Sequence, residues 1–135
     1  MTSPTLTQAY DQGDILIVFL PYPNQPRPEE TPPRGSILRD GLWGKRRPVI
    51  VVSVPKHNKA EDLLVALITS EVSKARRRGE YVLRRWREVR LREESAIRPR
   101  LYQIIKRDVL ALLGKIHEDD RPGMIETLKD LFGIT

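Results

Sequence analysis

Three short apolar runs, each closed by proline or polar turn residues, constrain this chain more than any other feature. Asp14-Ile15-Leu16-Ile17-Val18-Phe19-Leu20 stops at Pro21-Tyr22-Pro23. Pro48-Val49-Ile50-Val51-Val52-Ser53-Val54 and Leu63-Leu64-Val65-Ala66-Leu67-Ile68-Thr69 follow, the first strongly β-branched. Runs of this length and composition suit buried strands better than helices. No helix-length periodic segment separates them. Parallel neighbours would need such a crossover, which argues against a doubly wound sheet and for a small, strongly curved barrel.

The rest of the chain fits that frame. Tyr81-Val82-Leu83, residues 95–98, 101–105 and 109–116 are further strand candidates, with Gly114 at a bend or bulge. Near the end, Met124, Ile125, Leu128, Leu131 and Phe132 make the stripe of an amphipathic helix. Asp119 or Asp120 can cap it, Pro122 suits its first turn, and Gly133 can end it. The expected class is mainly β (α+β): a small barrel with a C-terminal helix. Residues 1–12 are expected to be a flexible N-terminus and 13–135 a single domain. Pro26, Pro28, Pro32, Pro33, Gly35 and Gly41 mark residues 21–46 as a long loop.

Charge is distributed unevenly. From Lys74 to Arg100 there are eleven Lys and Arg against four Glu, a local balance of +7 where the whole chain carries +6. A concentrated basic excess points to a polyanion or an acidic partner. With no cysteine, neither disulfides nor thiolate metal sites are possible, and His57 and His117 are too isolated for a typical zinc site. No metal and no cofactor are expected. No segment is apolar enough to cross a bilayer, and the polar N-terminus lacks a signal core, so the expectation is a cytoplasmic protein with no membrane partner.

The common catalytic signatures are absent: no phosphate-cradling P-loop, no Gly-x-Ser-x-Gly elbow, no His-Glu-x-x-His. What remains is polar residues at strand ends. Arg47 precedes the second apolar run and Thr69-Ser70 closes the third. If those strands are antiparallel neighbours, Arg47 and Thr69 meet on one rim of the sheet. A guanidinium and a hydroxyl side by side suit a phosphate, and fixed donors there would stabilise charge developing during reaction. RNA carries its own nucleophile, the 2′-hydroxyl, so its cleavage requires none from the protein.

At this point the residues meet a known family. Gly13-Asp14-Ile15 with its strand and Pro21, Lys45-x-Arg47-Pro48-Val49-Ile50-Val51, Ile68-Thr69-Ser70, Ser95-Ala96-Ile97-Arg98-Pro99 and Leu113-Gly114-Lys115-Ile116 together resemble the PemK/MazF toxin–antitoxin ribonucleases. The resemblance implies an SH3-like barrel, a homodimer, and metal-independent cleavage of single-stranded RNA (mRNA) to a cyclic phosphate and a 5′-hydroxyl. It implies Arg47 as the catalytic arginine and Thr69 as the threonine that steadies the reacting phosphate. It further implies a cognate acidic antitoxin as partner.

Two features depart from the family pattern. Arg100 stands where several members carry an acidic residue, and the loop 21–46 is unusually long and proline-rich. The remaining RNA-binding expectations are Lys45, Arg46, Ser70, Arg76, Arg77, Arg78, Trp86 and Arg98. The run Lys74-Ala75-Arg76-Arg77-Arg78 reads as a mobile loop, and Trp86 could stack on a base or simply pack. Trp43 and Tyr22 flank the long loop, as base readers or as a satellite core. The alternative function is a non-enzymatic relative on the same fold, either RNA-binding or gyrase-poisoning. Phe132-Gly133-Ile134 is a near match to the Trp-Gly-Ile tail of the gyrase poisons, although a helix cap explains it too.

Overall fold

The computed structural model describes residues 9–134. Seven strands form one antiparallel sheet: β1 (Asp14–Pro21), β2 (Ile37–Arg39), β3 (Leu42–Val51), β4 (Asp62–Thr69), β5 (Tyr81–Val82), β6 (Ala96–Ile105) and β7 (Val109–Lys115). Helix α1 (Val72–Arg77) follows β4 and helix α2 (Arg121–Phe132) closes the chain. The expected mainly-β class with a C-terminal helix stands. The strand path itself is open, running β5-β6-β4-β3-β1-β7 with β2 attached to β3.

The apolar runs are continuous because the sheet is covered on both faces. Alternate residues feed two cores. Ile15, Ile50, Ala66, Ile68 and Ile97 pack with Leu83, Val89 and Met124 on one side. Leu16, Val18, Val49, Val51, Leu63 and Val65 pack with Tyr10, Ile104 and Val109 on the other. A strand buried on both faces has no polar alternation to show.

Three expectations need correction. Of the segment 1–12, residues 1–8 lie outside the described residues, but Tyr10 is 1% exposed and Asn58 donates from Nδ2 to its carbonyl at 2.9 Å. Packing therefore begins before Gly13. Secondly, the long loop 21–46 contains β2 and the first part of β3. Asp40 (φ 49°) and Gly41 (φ 78°) form the turn between them, the two left-handed residues of a type I′ hairpin. The remaining loop is tied down by Gln25. Its Nε2 donates to the Tyr22 and Trp43 carbonyls at 2.8 and 2.9 Å, and its Oε1 accepts from Trp43 N–H at 2.7 Å. The Gln25 amide thus pairs with β3 one residue beyond the point where β1 ends. Thirdly, the run at 74–78 is helical through Arg77, with Arg78 as the cap, because Val72 and Ala75 bury one side of α1.

At the other end, Asp120 is 1% exposed and begins α2, but its carboxylate does not cap the helix. It accepts instead from Tyr81 Oη at 2.6 Å, Arg84 N–H at 2.8 Å and Arg85 N–H at 2.9 Å. One residue thereby fixes the arginine-rich segment against the last helix. Burial first, then the hydrogen bond to Asp120, push the Tyr81 phenol up to about 12 from its ordinary 10.0. The fold therefore favours the neutral phenol. Its contribution to stability is complete below pH 10 and is lost as pH rises through about 12. Denaturant midpoints of wild type and Tyr81→Phe should converge across that interval; parallel curves would refute this role.

Candidate active site

The β3–β4 ladder pairs Val49 with Leu67, Ile50 with Ala66 and Val51 with Val65. Continuing that register by two residues sets Arg47 across from Thr69. The formal ladder stops before Pro48, which has no N–H to give. On its other side Arg47 faces Val18 of β1. Between the end of the β2 pairing at Gly44 and the start of the β4 pairing at Val49, this edge of β3 is unpaired. The alternation of the strand places Trp43, Lys45, Arg47 and Val49 on one face. Arg47 is exposed and Lys45 half-buried.

The third strand adds a second guanidinium. Arg98 of β6 lies across from Leu67, so Val49, Leu67 and Arg98 form one row and Arg47, Thr69 and Ala96 the next. Adjacent strands lie about 4.8 Å apart, so Arg98 flanks the Arg47–Thr69 pair from one row behind. The Arg98 Nε is out of solvent and has no hydrogen-bond partner. The β4–β6 register jumps from Ala66–Leu101 to Leu67–Arg98, expelling Pro99 and Arg100 as a bulge. Arg100, the residue in place of the family's acid, is therefore an exposed bulge residue at the margin of this face.

Thr69 ends β4 with its hydroxyl already half-committed. Oγ1 accepts from Glu71 N–H at 3.1 Å, so its own proton is free to be donated outward. The Glu71 carboxylate accepts from Lys74 Nζ at 2.7 Å. That hydrogen bond first, then the Lys74 charge, hold the Glu71 carboxyl below the usual carboxylate range, with Arg98 and Arg78 adding at longer range. Arg47, Thr69 and Arg98 thus share one face of β3, β4 and β6 by register, and the Glu71–Lys74 pair adjoins Thr69 where β4 runs into α1. The arrangement suits a phosphodiester.

The other expected residues divide. Ser70 is exposed just past Thr69, and Arg76, Arg77 and Arg78 sit on or beside α1, with Arg76 paired to Glu94 at 3.3 Å. Arg46 falls on the opposite face of β3 from Arg47 by strand alternation. Trp86 packs against the core cluster that contains Met124 of α2, separate from the cluster that contains Val49 and Val51 next to Arg47, and Arg87 lies 4.7 Å from its ring centroid. An RNA-stacking role for Trp86 is therefore not supported. Glu71 escaped the sequence reading, although its place two residues after Thr69 was the available signal.

Residues 11–132 match the family model described as the PemK-like, MazF-like toxin of type II toxin–antitoxin systems. The chain belongs to this family. No curated protein sequence matches this PemK/MazF-like toxin. Among solved structures it resembles an endoribonuclease in complex with its cognate antitoxin from a mycobacterial species, at 12% identity and TM-score 0.64, covering 94% of this chain and 96% of that one. It also resembles the MazE–MazF complex of Deinococcus radiodurans, at 15% identity and TM-score 0.64, over 95% of this chain and 100% of the other. A further mycobacterial endoribonuclease gives 13% identity and TM-score 0.62, over 96% and 97%. At such identities the likeness shows a shared fold. The C-terminal Phe132-Gly133-Ile134 of this toxin forms a helix stop: Gly133 is left-handed (φ 68°) and Ile134 N–H donates to the Lys129 carbonyl at 2.8 Å.

Proposed function

We propose that the chain is a metal-independent endoribonuclease that cleaves single-stranded RNA at a phosphate held between Arg47 and Thr69. The observation that carries this reading is the register that opposes those two residues on one face, with Arg98 one row behind. The 2′-hydroxyl oxygen attacks the adjacent phosphorus, the bond to the 5′-oxygen breaks, and a cyclic phosphate and a 5′-hydroxyl remain. Arg47 stabilises the negative charge of the phosphorane and can protonate the leaving oxygen. Thr69 donates to a non-bridging oxygen, its orientation fixed by the bond from Glu71 N–H. Glu71, whose N–H bonds the Thr69 hydroxyl, offers a carboxylate to take the 2′-hydroxyl proton in place of the acid that Arg100 displaces. Lys45, Ser70, Arg77, Arg78 and Arg98 hold the strand.

The same basic face suits the acidic chain of a cognate antitoxin, which would block it directly, and a homodimer would present two such faces. Growth inhibition follows from loss of mRNA.

The test is incubation with single-stranded RNA in chelator. Wild type should cleave, and Arg47→Ala should lose a factor of about 10² or more, as removal of one oxyanion donor does elsewhere. Glu71→Gln keeps the backbone bond to Thr69 and removes only the charge, so a rate loss in that variant isolates the carboxylate. Equal cleavage by wild type and Arg47→Ala would overturn the assignment.

A further inference from the structure

Trp43 and Leu38 are the apolar members of the face that carries Lys45 and Arg47. They are cross-strand partners in the β2–β3 hairpin, so both side chains stand on one side of it. Leu38 is 57% exposed and Trp43 is half-buried. Leucine and tryptophan side by side on a protein surface leave apolar area uncovered. Here that area continues into a line of cations. Lys45 and Arg47 follow Trp43 at two-residue steps along β3, and among the described residues neither is in an ion pair. Four residues of strand put Trp43 about 13 Å from Arg47.

The tryptophan is also held with unusual care. Its N–H and its carbonyl are both engaged by the side chain of Gln25, and Tyr22 N–H donates to the same carbonyl at 3.0 Å. A ring whose backbone is fixed from both groups is a preorganised contact, in contrast to an aromatic on a free loop.

We propose that Trp43, flanked by Leu38, is a stacking platform for a nucleobase of single-stranded RNA lying one or two nucleotides from the phosphate at Arg47. The proposal rests on the RNA-cleaving reading above and adds to it the residue that senses a neighbouring base. Aromatic rings beside phosphate-binding cations are how single strands are held, because every base offers a π-face while the cations track the backbone. The ligand is a base and not an apolar peptide, because the platform opens directly onto two unpaired cations. The Pro-rich segment 22–36 thereby acquires a purpose: through Gln25 it fixes the backbone of Trp43.

The chain has two tryptophans, and Trp86 lies against the core beneath α2, so Trp86→Phe leaves Trp43 as the single reporter. The probe is a single-stranded RNA oligonucleotide with a 2′-deoxy sugar at the mapped cleavage site, which binds but cannot react. Saturable quenching of Trp43 emission is expected, abolished when one position within two nucleotides of that site is made abasic. Trp43→Ala should weaken binding of the intact oligonucleotide by roughly tenfold or more and leave the abasic one unchanged. Trp43→Phe should restore most of the loss and serves as the check on folding.

Unchanged emission at saturating RNA, or equal loss for both oligonucleotides, would overturn the platform. If that occurs while cleavage still depends on Arg47, the platform alone falls. Saturable quenching by an unmodified single-stranded RNA oligonucleotide that is never cleaved would retain the platform and remove the nuclease assignment. Failure to bind RNA at all would remove both.

Discussion

Replacing Asp120 with alanine is expected to lower the unfolding free energy by about 3–5 kcal/mol, a large share of the roughly 5–15 kcal/mol that a domain of this size has. The carboxylate is almost fully buried and accepts from Tyr81 Oη, Arg84 N–H and Arg85 N–H, all within 2.9 Å. Alanine leaves three donors without an acceptor where water has little access. The loss should also be shared. Asp120 joins α2 to the segment that carries Trp86 and Val89, and both of those pack on the same core as Met124. Tyr81→Phe removes only one of the three bonds and should cost about 1 kcal/mol, with strong non-additivity in the double variant. Urea midpoints at constant slope measure both. A loss below about 1 kcal/mol for Asp120→Ala would mean that the segment is held by other contacts.

Gly44→Ala should be comparably damaging, at about 3 kcal/mol or more. An alanine Cβ at this position would stand 2.3 Å from the Leu20 carbonyl oxygen and 2.7 Å from the Phe19 ring. The first is backbone, so the β1–β3 pair itself must move apart. Gly44 sits where β3 is shared between β1, through Pro21, and β2, through Ile37. Separation there would disturb Lys45 and Arg47 one and three residues on. The variant should therefore lose RNA cleavage along with stability, unlike Gly41→Ala, whose Cβ would meet nothing within 4 Å and whose cost is confined to the left-handed φ of 78°. Thermal melts of the two variants side by side, with cleavage assayed well below the lower transition, make the comparison. Equal stability of Gly44→Ala and wild type would show that the strands can splay without penalty.

Parts of the fold were readable because they depend on local signals. The runs 14–20 and 63–69 became β1 and β4 almost residue for residue, since β-branched apolar segments bounded by proline and polar turns have few other places to go. The terminal helix was marked by its stripe and by Pro122 and Gly133, although the structure buries Met124 fully and leaves Phe132 61% exposed. The hairpin of β2 and β3 was missed although Asp40-Gly41 is a strong type I′ signal. Its paired segments are only three residues long and follow a run of prolines, too short to show an alternation of their own, and Gln25 and Tyr22 bond the backbone of Trp43. The basic run at 74–78 reads as a mobile loop because its five residues carry no apolar period of their own. Only burial of Val72 and Ala75 against the sheet makes it a helix.

The candidate site shows the same division. That a strand enters at Arg47-Pro48 and another leaves at Thr69 is written in the order of residues. So are the concentration of charge between Lys74 and Arg100 and the family resemblance. The facing of Arg47 and Thr69 required the β3–β4 pairing, and the addition of Arg98 required the β4–β6 register with its bulge at Pro99 and Arg100. The separation of Arg46 from Arg47, the packing of Trp86 on the core that contains Met124 and the arrival of Glu71 beside Thr69 were likewise decided by tertiary structure. Sequence alone determines which segments extend, where they stop and where charge accumulates, because those follow from side-chain volume, backbone restriction and composition within a few residues. Which side chains share a face across strands depends on register. A shift of one residue would send each to the opposite side, so only the packed sheet, with both faces buried, fixes that choice.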